Sequence, residues 1–309
     1  PPQNSAMRPP SPAGSAARAS IARFRSSESV VMGGSAVAVG LLAAGGVYGF
    51  KRWIEAVEAG AHAVVHGVPP GWATIVGVAV PVIGGLLVGW ILARFVGPER
   101  HHGVAGIMES VALAGGRLRY RRMPVKALSA GLSIGAGASV GPEDPSVQIG
   151  SNLGSFFGQR LRLSDERTRS LVAAGAAAGI AAALDAAIAG VFFAVEILLG
   201  EIAAGALGVV LLAAVCSSAL THVLVGEHPA FHVPAYALHG VAELPAYLAL
   251  GALAGLVSGA YVTALYAAHD LYRVSRLPAW ARPATAGLAV GLVALALPQI
   301  QGVGYGTLE

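Results

Sequence analysis

Glu143 and Asp144 are the side chains of this chain best placed to do chemistry. They lie in Gly141-Pro-Glu-Asp-Pro-Ser-Val-Gln-Ile-Gly150, between residues 125–140 and 151–158, both of which are small and apolar. Two carboxylates thus sit at a Gly/Pro break between lipid-compatible segments. An ionisable group at membrane depth is costly and marks a functional site by default. Pro142 and Pro145 suit the start of a helix, where a missing N–H costs little. The pattern predicts a helix over residues 143–158 whose N-terminus lies inside the bilayer. Such an end offers free N–H groups and a positive partial charge, which attract an anion. Broken backbone at that depth must be buried or line an aqueous cavity. The alternative is a surface loop in which Asp144 and Glu143 merely cap a helix.

Other reactive types are sparse. His101 and His102 are neighbours, so they do not face one way on a helix, and no Cys or carboxylate follows at ligand spacing; a metal site is not expected. Lys126 is a cation within a Gly/Ala/Leu segment, either raising the potential along an anion path or snorkelling to the interface. Gly131-Leu-Ser133-Ile-Gly135 fits the pattern of a serine hydrolase nucleophile, with His101 or His102 as base. That chemistry needs a strand–turn–helix context, whereas the stretch reads as continuous membrane helix. The single cysteine, Cys216, has no partner for a disulfide or a metal and reads as a small packing residue.

These residues must be positioned by a membrane scaffold. Of 309 residues, 55% are hydrophobic and 12% charged, and the mean hydropathy is +0.67. Soluble domains carry about 25% charged residues, so the expected class is an all-α integral membrane protein. The 42 glycines suit helices that pack on small faces. A net charge of +4, carried by loops, does not point to nucleic acid. Apolar segments are predicted at residues 29–59, 72–95, 104–113, 125–140, 146–158, 171–183, 186–199, 203–225, 244–271 and 280–298. Spanning a bilayer takes about 20 helical residues, so several central segments are too short. Short, Gly/Pro-interrupted segments point to a transport site built from half-helices.

Residues 1–28 are rich in Pro, Ser, Ala and Arg and are expected to form a disordered tail. Its arginines, Arg8, Arg18, Arg23 and Arg25, place it in the cytoplasm. Four basic loops go to the same side, and 226–243, which has no Lys or Arg, goes outside. Lys51-Arg52 runs mildly against this rule. Residues 72–106 and 282–309 share an order of motifs, Trp72-Ala-Thr74 against Pro283-Ala-Thr285 and then a Gly-Val turn in each. The loop charges put the copies in opposite orientations, as in inverted-repeat transporters. The expected organisation is 29–225 as a first membrane repeat, 226–243 as an outer loop and 244–309 as the start of a second. The chain begins with Pro1 and stops at Glu309 within what reads as a motif, so a fragment is expected at both ends.

Several stretches together resemble the CLC family of chloride channels and chloride/proton antiporters. The family's Gly-Lys/Arg-Glu-Gly-Pro gate is matched by Gly141-Pro-Glu-Asp-Pro145. Its Gly-x-Gly-Ile/Val-Pro is matched by His101-His-Gly-Val-Ala105, and its Pro-Val-Lys by Pro124-Val-Lys126. Gly175-Ala-Ala-Ala-Gly179 and Gly190-Val-Phe-Phe-Ala-Val-Glu196 also look like the family. The departures are Pro142 for a basic residue, Asp144 for Gly, His101 for Gly, Ala105 for Pro, and Asp185-Ala-Ala187 for Asn-Ala-Pro. The resemblance implies tilted, discontinuous helices in inverted repeats and a homodimer with one pore per subunit, in a bacterial plasma membrane. It implies chloride or another monovalent anion as the partner, and no cofactor, metal or nucleic acid. Glu143 becomes the gate, and His102, Gly103, Val104, Gly141, Glu143 and Asp144 the anion-binding set. His102 takes the place of a family serine that donates to the anion, and its ring N–H can also donate. The proton-relay glutamate of the antiporters falls on Ile197, which carries no proton, so channel-like or uncoupled transport is expected. Glu196 or Glu201 could substitute, which leaves chloride/proton exchange as the alternative.

Overall fold

In the computed structural model the described residues are 12–97, 103–200, 204–226 and 240–304, of which 12–27 and 204 are described as helix backbone alone. Along them run α1 (Pro12–His66), α2 (Pro70–Ile91), α3 (Gly103–Leu113), α4 (Met123–Gly135), α5 (Glu143–Arg160), α6 (Asp165–Leu184), α7 (Ala187–Phe193), α8 (Ala204–Val225), α9 (Leu244–Val274) and α10 (Arg282–Ala294). No strand occurs among the described residues. By length and composition, 28–66, 70–96, 205–225 and 241–274 suffice to cross a membrane, and α3, α4, α7 and α10 are short. Mixed long and short apolar helices are the pattern expected of an integral membrane fold with discontinuous spans.

Two expectations are corrected. Residues 12–28, expected to be a disordered tail, continue α1. They hold Ala and Arg, both strong helix formers, and extend a helix that is already nucleated; residues 1–11 lie outside the described ones. The apolar stretch 125–140 is helical only to Gly135, after which Gly137 turns the chain at φ +101°. Most of the outer loop expected at 226–243 lies outside the described residues.

The chain forms two compact units that interleave along the sequence. The first holds α1 up to Gly49, with α3, α5, α6, α7 and α8. Its centre is α6, where every residue from Leu171 to Ala183 is buried. A helix buried on all sides needs small side chains if several neighbours are to approach, and α6 is almost entirely Ala and Gly there. On α5, Gly150 meets the Gly175 carbonyl of α6, and Gly154 meets that of Leu171. These contacts pair rising with falling residue numbers, so α5 and α6 run antiparallel. A Cβ on Gly175 would strike the Gly150 carbonyl. Gly175→Leu should therefore destabilise the protein by about 3 kcal/mol, seen as a lower melting temperature and loss of the monodisperse peak in detergent. Gly45→Ala is the control. Nothing lies within 4 Å of a Cβ there, so the helix should gain up to about 1 kcal/mol.

The second unit holds the end of α1 from Phe50, with α2, α4, α9 and α10. Gly85 and Gly89 of α2 abut the backbone at Pro283 and Trp280, while Gly287 and Gly291 of α10 abut Pro81 and Val78. The two helices therefore run antiparallel. They are the helices matched in the sequence repeat, and their packing draws α2 out of the first repeat and into one unit with α10. Gly131 of α4 meets Trp53, whose Nε1–H donates to the Leu128 carbonyl at 3.0 Å. Helix α9 buries none of its residues, and its exposed Leu, Val and Tyr side chains suit a lipid environment.

Candidate functional site

Helix α5 starts at Glu143, as the sequence predicts, with Glu143 and Asp144 in its first turn. Pro142 is buried immediately before it, Glu143 is half-buried and Asp144 exposed. Acidic side chains in a first turn complement the helix dipole. The rest of α5 is anchored by polar contacts. Ser155 Oγ accepts from the Leu118 N–H at 2.8 Å and donates to the Gly116 carbonyl at 2.7 Å. Gln159 Nε2 donates to the Leu118 carbonyl at 2.9 Å. These bonds tie the turn after α3 to the far end of α5, which holds the start of α5 close to the start of α3.

At that meeting point Val104 N–H, in the first turn of α3, donates to Asp144 Oδ1 at 2.8 Å. Gln148, one turn along α5, donates from Nε2 to Asp144 Oδ2 at 2.7 Å. Gly103 lies beneath the carboxylate at φ +66°, and a Cβ there would come within 2.6 Å of Asp144 Oδ1. A side chain would be excluded at Gly103 both by that contact and by the left-handed backbone. The structure thus joins Gly103, Val104 and Asp144 and sets Glu143 next to them along the chain. It also amends one role. Asp144, expected to contribute to an anion's surroundings, itself accepts the Val104 N–H that was assigned to the anion.

The remaining predicted residues are distributed as follows. His101 and His102 lie outside the described residues. Gly141 and the half-buried Lys126 belong to the second unit. Ile197 is 40% exposed and lies on a π-helical turn, Ala194–Leu199, where Glu196 is also exposed. A π turn holds an extra residue and rotates the side chains around it, a geometry common at functional sites. Glu201 lies outside the described residues. Ser133 sits inside α4, without the strand–turn–helix geometry that the hydrolase alternative requires. Cys216 is a free thiol of intermediate burial, somewhat less enclosed than expected. Among the described residues no group of three or more His, Cys, Asp or Glu could hold a metal ion.

A polar cluster also forms where sequence reasoning had only a departure to note. Asp185 ends α6 in the left-handed conformation at φ +55°. His222 Nε2 lies 2.6 Å from its Oδ1 and 2.8 Å from its Oδ2, and Ser218 Oγ donates to Oδ1 at 3.2 Å. The pair clamps the C-terminal ends of α6 and α8, together with Ser217 Oγ donating to the Ala178 carbonyl at 2.7 Å. The only signal in the sequence is Asp185 standing in place of the family's Asn.

Residues 84–309 match the protein family described as Voltage gated chloride channel. Chloride channel protein CLC-f of Arabidopsis thaliana is 34% identical over 295 residues, covering 88% of this chain and 36% of its own length. The voltage-gated ClC-type chloride channel ClcB of Salmonella typhimurium is 29% identical over 290 residues, covering 89% of this chain and 67% of its own. The chain thus spans about a third of the plant relative and two thirds of the bacterial one. Among solved structures, a slow cyanobacterial Cl−/H+ antiporter superposes with a TM-score of 0.77 at 23% identity, over 90% of this chain and 67% of its own. A CLC-type fluoride/proton antiporter gives 0.76 at 24%, over 91% and 69%. At such identities the superpositions establish the fold, with the discontinuous helices and inverted repeats expected from the sequence. The match over 84–309 carries the assignment, and the chain belongs to the voltage-gated chloride channel family.

Proposed function

We propose that this chain belongs to a pore that passes chloride across a membrane, is gated by Glu143, and moves the anion without proton coupling. The observation that carries the proposal is the start of α5 at Glu143, a carboxylate at a helix N-terminus in a chain of this family. A carboxylate and a chloride ion compete for the same N–H groups and the same positive end. Displacing or protonating the side chain then frees the path. The anion's donors are, by the family resemblance, backbone N–H groups at helix ends, with Gly103 and Val104 at the start of α3 as the members of that set placed beside the start of α5. Such donors suit a monovalent anion and repel cations. The working unit is a homodimer in a bacterial plasma membrane, with one pore per subunit.

The test is chloride efflux from proteoliposomes, with the reversal potential recorded in mixed salts. It should follow the chloride gradient; a potential that tracks sodium or potassium rules the proposal out. Chloride/proton exchange is the second reading. It is favoured by Glu196, exposed on the π turn beside Ile197, and by the coupled transport named for both antiporters of similar fold.

A further inference from the structure

We propose that the cavity at the start of α6 takes the headgroup and one acyl chain of a zwitterionic aminophospholipid, with the lipid phosphate on Arg169 and its ammonium on Glu166. The site needs only a membrane around the protein and is separate from the anion path.

The cavity encloses about 660 Å³ within the first unit, where α1, the end of α3, the start of α6, the π turn and the start of α8 converge. Sites for small molecules usually measure about 300–1,000 Å³. Four charged side chains line it, Glu28, Glu166, Arg167 and Arg169. Two of these cancel, because Arg167 Nη2 lies 2.7 Å from Glu28 Oε2 and ties α6 to α1. Glu166 and Arg169 stand one turn apart on α6 and so face the same way, yet neither side chain enters an ion pair among the described residues. Arg169 Nε is enclosed and has no acceptor. A buried donor on a charged group is costly to leave unmatched, and a guanidinium offers paired bonds to a phosphate. One free cation and one free carboxylate select a headgroup that carries both signs. An anionic headgroup would bring its charge next to Glu166 with nothing to offset it.

The rest of the lining is apolar, with Met32, Val111, Leu198 and Leu212, and gives a file of waters few partners. Gly33, Gly205 and Gly208 also line it, and nothing lies within 4 Å of a Cβ built on any of them. Gly205, Gly208 and Leu212 are exposed on α8, so the unfilled groove opens at the surface of an apolar helix. Charged groups at the aqueous end of α6 above an open apolar groove match the layout of a lipid, whose head and chain differ in the same way.

The experiment follows the melting temperature of the purified, delipidated protein in detergent, with dioleoyl phosphatidylethanolamine or dioleoyl phosphatidylglycerol added. Phosphatidylethanolamine should raise the wild-type value by about 5 °C near saturation, and phosphatidylglycerol by clearly less. Gly208→Leu fills the groove without striking the protein. It should fold as wild type does and lose the shift, and Gly205→Leu serves if Gly208→Leu does not fold. Arg169→Gln should lose the shift as well. Glu166→Gln should keep it but respond equally to both lipids. An undiminished shift in folded Gly208→Leu or Gly205→Leu overturns the site. Equal shifts from both lipids in wild type, or no shift from either, overturn the assignment to a zwitterionic lipid.

Discussion

Proteoliposomes carrying Glu143→Gln are expected to release chloride at the same rate in acidic and neutral buffer, whereas the wild-type rate falls as pH rises. At neutral pH the variant should be faster by about tenfold or more. The physical argument starts from the first turn of α5. Glu143 is half-buried in the first turn of α5, at a helix end whose positive partial charge attracts a carboxylate or an anion alike. Its amide counterpart keeps the volume and loses the charge, so it no longer competes with chloride. A tenfold change corresponds to about 1.4 kcal/mol of closing energy, within the usual range for a charge at a partly buried helix terminus. Efflux followed with a chloride electrode across the pH series measures both effects. If the variant keeps the wild-type pH profile, Glu143 has no gating role.

The second large effect concerns protons. With chloride driven outward through proteoliposomes, external pH is expected to show no sustained uphill proton movement. Ile197 occupies the position that resemblance assigns to the proton relay, and an isoleucine side chain neither carries a proton nor orders water by hydrogen bonds. The competing candidate, Glu196, is exposed beside it on the π turn. Uphill proton transport at a fixed ratio to chloride would establish exchange and refute the uncoupled reading. If exchange were found, Glu196→Gln would be the decisive variant, because it removes the titratable group nearest Ile197 along the chain.

Much of the fold is legible in the sequence because lipid imposes a simple rule. Backbone groups must be satisfied within each segment, so apolar runs become helices and their punctuation marks the ends. The start of α5 at Glu143 follows from Gly141, Pro142 and Pro145, and the small faces of α5 and α6 from their glycines. The antiparallel relation of α2 and α10 follows from the repeat and the loop charges. Local propensity misleads where a helix already exists to be extended, as in residues 12–28 of α1. It also misleads where a glycine ends a helix within an apolar run, as after Gly135.

What the sequence by itself determined is the class, the helices and the start of α5 at Glu143, because these depend on composition, periodicity and local capping. The tertiary structure decided how distant polar groups are satisfied. Asp185 and His222 are 37 residues apart, and no spacing rule joins them until α6 and α8 pack side by side. Asp144 reads along the chain as a second negative charge near an anion path. It becomes an acceptor for Val104 N–H only because the contacts of Ser155 and Gln159 bring the starts of α3 and α5 together. A hydrogen bond depends on distance and direction at about 3 Å, and across elements only packing supplies them.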